Sequence, residues 1–197
     1  KSKITHFIYE SILIQFDPLK YISSSSFPPN LELFQEKGYK NLNSTEYNKL
    51  TAKEKNADCL LNFGILYETG FCFKQDLIKA RQYYEIAADQ NNSYALNNLG
   101  NLYEKGHGVE QSYIKAEEYY KRSSNPIALN NLGNLYKIGA FFIPNYTLAL
   151  QYYELSARDN YPPALSNIAD LYFSGNGVVQ SYSRAKEYYE AAAALRL

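Results

Sequence analysis

From Ala57 onward the apolar residues recur at helical rather than strand spacing, in two alternating stripes. Ala95, Leu99, Leu102 and Tyr103 stand at i, i+4, i+7 and i+8, which gathers them on one face of a helix. Ala80, Tyr83, Tyr84, Ala87 and Ala88 stand at i, i+3, i+4, i+7 and i+8 and predict a second kind of helix, with small residues set beside tyrosines. Such a face favours a close, ridged contact with its neighbour. Asp76, Ser112, Asn145 and Ser181 each precede a stripe of the second kind. All four are residue types that cap helix N-termini. Gly106, just past a stripe of the first kind, marks its end.

The stripes are copies of one another. The peptide ALNNLGNLY runs from Ala95 to Tyr103 and again from Ala128 to Tyr136, 33 residues later. Four units align without internal gaps from a small residue, which is Gly64, Gly100, Gly133 or Ala169. Three residues on stands Tyr67, Tyr103, Tyr136 or Tyr172, and six on stands Gly70, Gly106, Gly139 or Gly175. Ala80, Ala116, Ala149 and Ala185 follow, and then the tyrosine pairs 83/84, 119/120, 152/153 and 188/189. Successive units are 36, 33 and 36 residues apart. The short step falls at SSNPIALNN, where Asn125 caps a helix and Pro126 takes its first position. The expected units are 57–92, 93–125, 126–160 and 161–197.

The pattern ALNNLGNLYEKGHGVEQSYIKAEEYY resembles the Sel-one-like repeat, a relative of the tetratricopeptide repeat, from about Ala57 to Leu197. The resemblance implies an all-α fold, a right-handed α-α superhelix of antiparallel helix pairs whose first helices line the concave surface. It further implies a non-enzymatic adaptor or scaffold that binds proteins or peptides. Two loops depart from the pattern, with Cys72 and Phe141 where GHGVEQS and GNGVVQS carry a second glycine. If that glycine has a positive φ, these two loops take another path.

Upstream, STEYNKLTAKEKNAD reads as a degenerate half-repeat over 44–56, with Tyr47 on Tyr83 and Ala52 on Ala88. Residues 1–43 are expected to form a divergent helical segment with a Ser/Pro linker at SSSSFPPN. The chain contains no Met and begins at Lys1, so it reads as an excerpt or a processed chain. Its last helix, YYEAAAALRL, is apolar where a terminal repeat should be polar outside. Both features fit an alternative, a regulatory or targeting segment of a larger protein such as a kinase or a secreted effector.

Charge narrows the choice of partner. Twenty basic and twenty acidic residues cancel, which gives no field to draw nucleic acid or an anionic membrane. No apolar run approaches the ~20 residues of a membrane helix. Cys59 and Cys72, placed along one helix, lie beyond the ~7 Å reach of a disulfide, and two free thiols fit a reducing, cytoplasmic compartment. A luminal or secreted location stays open, and there the sequons at Asn43, Asn91 and Asn145 would matter.

Catalytic chemistry is thinly represented. Ser112-Tyr-Ile-Lys115 has the S-x-x-K spacing of serine acyltransferases, yet Asp76, Asn145 and Ser181 fill the equivalent position, so Ser112 reads as a cap. His6 and His107 are the only histidines, which leaves no histidine-rich metal site and no nucleophile-base-orienter set. No cofactor is expected.

The asparagines are the remaining candidates. Asn62, Asn98, Asn131 and Asn167 precede the small residue by two, while Asn101, Asn134 and Asp170 follow it by one. The two positions are three apart and share a helical face. Amides in such a row both donate and accept, as the backbone of an extended peptide requires. The competing reading is that some of them bond neighbouring helices and hold the stack, above all those two before the small residue. A second candidate contact is the pair of aromatic loops, through Phe71 and Phe141.

Overall fold

A computed structural model describes residues 57–70, 74–123, 125–140 and 143–195. Among the described residues there are eight α-helices and no strand. They are α1 (Ala57–Thr69), α2 (Leu77–Asp89), α3 (Ser93–Lys105), α4 (Tyr113–Ser123), α5 (Pro126–Ile138), α6 (Tyr146–Ala157), α7 (Pro162–Ser174) and α8 (Tyr182–Ala194). Odd and even helices pair within a repeat, and each even helix packs on the odd helix that follows. Short loops make such neighbours antiparallel, and the result is an all-α helical-repeat solenoid. The expected divergent segment over 1–43 and the half-repeat over 44–56 lie outside the described residues.

The helix ends form as their residues dictate. Side chains of Asp76, Ser112, Asn145 and Ser181 accept from the backbone N–H groups of Lys79, Lys115, Leu148 and Arg184 at 3.0 to 3.3 Å. Asn125 accepts from Ala128 N–H at 2.7 Å, with Pro126 at the first helical position. The first helices stop at Gly70, Gly106, Gly139 and Gly175, whose φ of 69 to 74° is one that other residues adopt only with strain. Gly108 and Gly177, the second glycines of their loops, have φ of 70° and lie against Leu77 and Tyr146, at the start of the preceding repeat's second helix.

Ala95, Leu99, Leu102 and Tyr103 are all buried, as the stripe predicts. On the even helices Ala80, Ala116, Ala149 and Ala185 are buried against their partners. The first tyrosine of each pair stacks on the tyrosine of the first helix, with centroids 5.5 to 5.8 Å apart and planes within 12°. Lys79, Lys115 and Arg184, the residues just before those alanines, sit over Tyr67, Tyr103 and Tyr172 at 5.0 to 5.3 Å.

The second tyrosine of each pair penetrates furthest. Tyr84, Tyr120 and Tyr153 are fully buried, each ring lying against the glycine of its own repeat. A Cβ at Gly64, Gly100 or Gly133 would stand only 2.2 to 2.4 Å from a carbon of that ring. The fourth repeat differs. There Ala169 holds the small position, and no helix follows α8 among the described residues; Tyr189 is 40% exposed. Its partner repeats therefore need glycine for contact, and the last does not.

Two outcomes follow from these tyrosines. Gly100→Ala gains about 1 kcal/mol of helix propensity, but overpacking against Tyr120 costs about 1–3 kcal/mol. Urea melts are expected to show a net loss, and an equal or higher midpoint would remove the ring contact as the reason for glycine. Burial raises the phenol pKa of Tyr84, Tyr120 and Tyr153, helped by the Glu68, Glu104 and Asp170 carboxylates respectively. The unfolded chain then gives up its phenol protons first, above pH ~10, so stability is full below that value and falls as pH rises. The slope is about 1.4 kcal/mol per pH unit for each such tyrosine, and Tyr120→Phe should make the fall above about pH 10 shallower.

Candidate functional site

The first helices α1, α3, α5 and α7 carry the polar row. Asn62, Asn98, Asn101, Asn131, Asn134 and Asn167 are half-buried on them, and Asp170 is exposed. Their side chains divide into two sets according to what they hold.

The set two before the small residue bonds backwards across the repeat boundary. Asn131 donates from Nδ2 to Asn97 Oδ1 at 3.1 Å, and Asn167 donates to Asn130 Oδ1 at 2.9 Å. Asn97 in turn donates to Asn98 Oδ1 at 3.3 Å. Asn98 and Asn131 also face, as donors, the buried hydroxyls of Tyr84 and Tyr120 in the preceding repeat. In the first repeat, Asn62 Oδ1 is buried with no hydrogen-bond partner among the described residues.

Asn97 and Asn130, only 4% and 5% exposed, were not among the residues singled out in the sequence. A signal for them exists. Each stands three residues before the glycine, hence on the packing face of the same helix, and not on the outer face its polarity suggests.

The set one after the small residue meets the tyrosines of its own repeat. Tyr153 donates to Asn134 Oδ1 at 2.8 Å, and Tyr189 donates to Asp170 Oδ1 at 2.6 Å. That bond, with some burial and the carboxylate's charge, pushes the Tyr189 phenol up to about 12. The Tyr120 hydroxyl lies 3.0 Å from Asn101 Oδ1 and 2.5 Å from Glu104 Oε2. Tyr84 donates to Glu68 Oε2, also at 2.5 Å.

The position four after the small residue therefore also belongs to the row. It holds Glu68, Glu104, Lys137 and Phe173 in turn. Lys137 reaches forward to the fourth repeat, 3.4 Å from Asn167 Oδ1 and 3.6 Å from Asp170 Oδ2. The row thus starts with two carboxylates, passes through amides, and ends with a Lys137–Asp170 ion pair beside exposed Phe173.

Ser112 Oγ accepts from Lys115 N–H as a helix cap, and His107 is exposed in its turn. Asn145 is a cap as well, and Asn91 is exposed with a φ of 59°. Phe71, Cys72 and Phe141 lie outside the described residues. Among the described residues no group of His, Cys, Asp and Glu is gathered as a metal site, and no helix is long and apolar enough to cross a membrane. What the row offers chemically is hydrogen bonding by groups whose inner ends are fixed.

Comparisons with known proteins place the chain. The family model described as Sel1 repeat matches at residues 57–92, 93–125, 126–161 and 162–196. No curated protein matches the sequence. Among solved structures, a Sel1 repeat protein from Oxalobacter formigenes is 25% identical with a TM-score of 0.70, over 77% of this chain and 62% of that one. The protein c5321, a protective antigen present in uropathogenic Escherichia coli strains and displaying an SLR fold, is 30% identical with a TM-score of 0.69, over 79% of this chain and 34% of that one. The immunity protein PA5088 from Pseudomonas aeruginosa, 22% identical with a TM-score of 0.52 over 86% of this chain and 66% of that one, shares the fold. This chain thus spans less than two thirds of the Oxalobacter chain and about a third of the Escherichia one. With four matches covering most of its length, in the register set by its glycines and tyrosines, the chain belongs to the Sel1 repeat family.

Proposed function

We propose that this chain is a protein-interaction scaffold that binds a polypeptide along the face of its first helices, the concave face in this family's architecture. Sel1 repeats generally mediate protein–protein interaction. What supports the narrower reading is one observation, that Asn101, Asn134 and Asp170 recur once in each of the last three repeats with their inner ends bonded to tyrosine hydroxyls, two of them on buried rings. Groups fixed in this way lose little rotamer freedom on binding, which raises affinity without adding contacts. The residues two before the small residue, Asn131 and Asn167, serve the stack first and the ligand second.

This division separates the variants. Asn131→Ala leaves Asn97 without its donor across the boundary, and the expected loss is about 1 kcal/mol of stability in urea melts. Asn101→Ala, Asn134→Ala and Asp170→Ala together should leave the helical signal near wild type. The same triple variant should lose capture of peptides selected from a displayed random library against the wild-type chain. Undiminished capture would remove this face from the interaction.

A further inference from the structure

Asn101 and Asn134 each face a tyrosine hydroxyl, but only the hydroxyl at Asn101 is shared with a carboxylate. The Tyr120 hydroxyl has one proton and two neighbours in acceptor range, Glu104 Oε2 at 2.5 Å and the Asn101 amide at 3.0 Å. A carboxylate makes the shorter and stronger bond, so the proton goes to Glu104. An amide oxygen left facing the hydroxyl oxygen would then set lone pair against lone pair. A half-turn of the amide exchanges its oxygen and nitrogen at no steric cost, and the NH2 of Asn101 then donates to the second lone pair of the hydroxyl, the first being faced by Asn131. Its carbonyl oxygen is left pointing outward.

In the third repeat the position of Glu104 is taken by Lys137, which is drawn toward Asp170 at 3.6 Å. The proton of Tyr153 has Asn134 Oδ1 as its acceptor, at 2.8 Å. That amide keeps its oxygen inward and its NH2 outward. In the fourth repeat Asp170 offers a carboxylate, which accepts only; one oxygen takes the Tyr189 proton and both retain lone pairs.

We infer that the residue four after the small residue sets the polarity of the row. Asn101 presents an acceptor, Asn134 a donor and Asp170 an acceptor, and the ligand is an extended polypeptide backbone that offers N–H, C=O and N–H in turn. The choice of ligand rests on the concave-face reading above, whereas the polarity rests only on the hydroxyl protons. Neighbouring first helices are in contact across the array at α3 and α5, and neighbouring helix axes lie about 10 Å apart. Along an extended chain rising ~3.3 Å per residue, the N–H of one residue and the C=O two residues later lie on the same edge at about that separation. A row of identical amides would suit no single edge of a strand so directly.

The polarity is tested in the free protein by solvent exchange of side-chain amide protons in 15N spectra, with Asn101→Ala and Asn134→Ala used for assignment. An Asn101 NH2 that exchanges at least about tenfold more slowly than that of Asn134 is expected, one hydrogen bond being worth roughly that factor. Glu104→Ala should release the Tyr120 proton to Asn101, turn the amide, and bring its exchange up to that of Asn134. Lys137→Glu should slow exchange at Asn134. Equal exchange in the wild type, or no response to either variant, overturns the polarity. The backbone ligand is tested on the library-selected peptides by single N-methylation. One position should lose about tenfold in binding to wild type and nothing in binding to Asn101→Ala, and absence of any such position overturns that assignment. Failure to select any peptide would strike the concave-face reading and its ligand, and leave the exchange result to decide the polarity alone.

Discussion

The contact on which the array depends is a tyrosine ring laid against a glycine. Tyr84, Tyr120 and Tyr153 cross from the second helix to the first and rest where a side chain of any size would intrude, with a Cβ 2.2 to 2.4 Å from the ring. This brings the two helices of a repeat close, and it also delivers a hydroxyl through the layer to the polar side of the first helix. The ring supplies burial and the hydroxyl supplies a fixed hydrogen bond, so one residue type both builds the repeat and furnishes its surface. The alanine before each tyrosine pair and the stacked first tyrosine follow from the same closeness, because larger residues there would hold the helices apart.

Adjacent repeats are joined by a different device. Between the second helix of one repeat and the first of the next the cores are apolar, with Leu96, Leu99 and Leu132 fully or almost fully buried. Apolar contact alone tolerates sliding, since side chains of similar size exchange places at small cost. The amide bonds from Asn131 to Asn97 and from Asn167 to Asn130 do not slide, because a displaced partner leaves a buried polar atom unpaired at a cost of about 1–3 kcal/mol. They fix the register of one repeat on another. The 33-residue step between the second and third repeats leaves this pattern intact, which locates the shortening in the turn at Asn125 and Pro126 and not in the interface.

The fold was legible from residue spacing because four copies average out local ambiguity. Any one stripe of alanines and tyrosines would be a weak signal, but the same stripe at Ala80, Ala116, Ala149 and Ala185 is not, and the caps and terminal glycines set the helix ends as well. The row of asparagines was legible as a row, and its division was not. Asn97 and Asn98 are neighbours of one type, and sequence alone does not say that one faces a tyrosine hydroxyl across the boundary while the other sits inside. Nor does the sequence mark Glu104 and Lys137 as partners of that row, because the link runs through Tyr120 and Tyr153 on another helix, 16 residues from Glu104 in the first case and an equal step from Lys137 in the second.

A repeat array built in this way gains variety without altering its frame. The ring, the glycine and the boundary amide are constrained by packing, while the residue four after the small residue, half-buried in the first three repeats and exposed in the fourth, changes from Glu to Lys to Phe. Because a hydroxyl proton has a single destination, changing that residue from Glu to Lys reverses the amide beside it with no movement of the backbone. The chemistry of the surface is thus set through one shared tyrosine hydroxyl and not by the groups that display it. In the fourth repeat the frame itself relaxes. Ala169 replaces glycine, Tyr189 is partly exposed, and Asp170 takes over as the acceptor that needs no orientation, since both ends of a carboxylate accept. An amide in that place would depend on a firmly seated tyrosine to hold its polarity; a carboxylate keeps the same polarity however loosely the ring is packed.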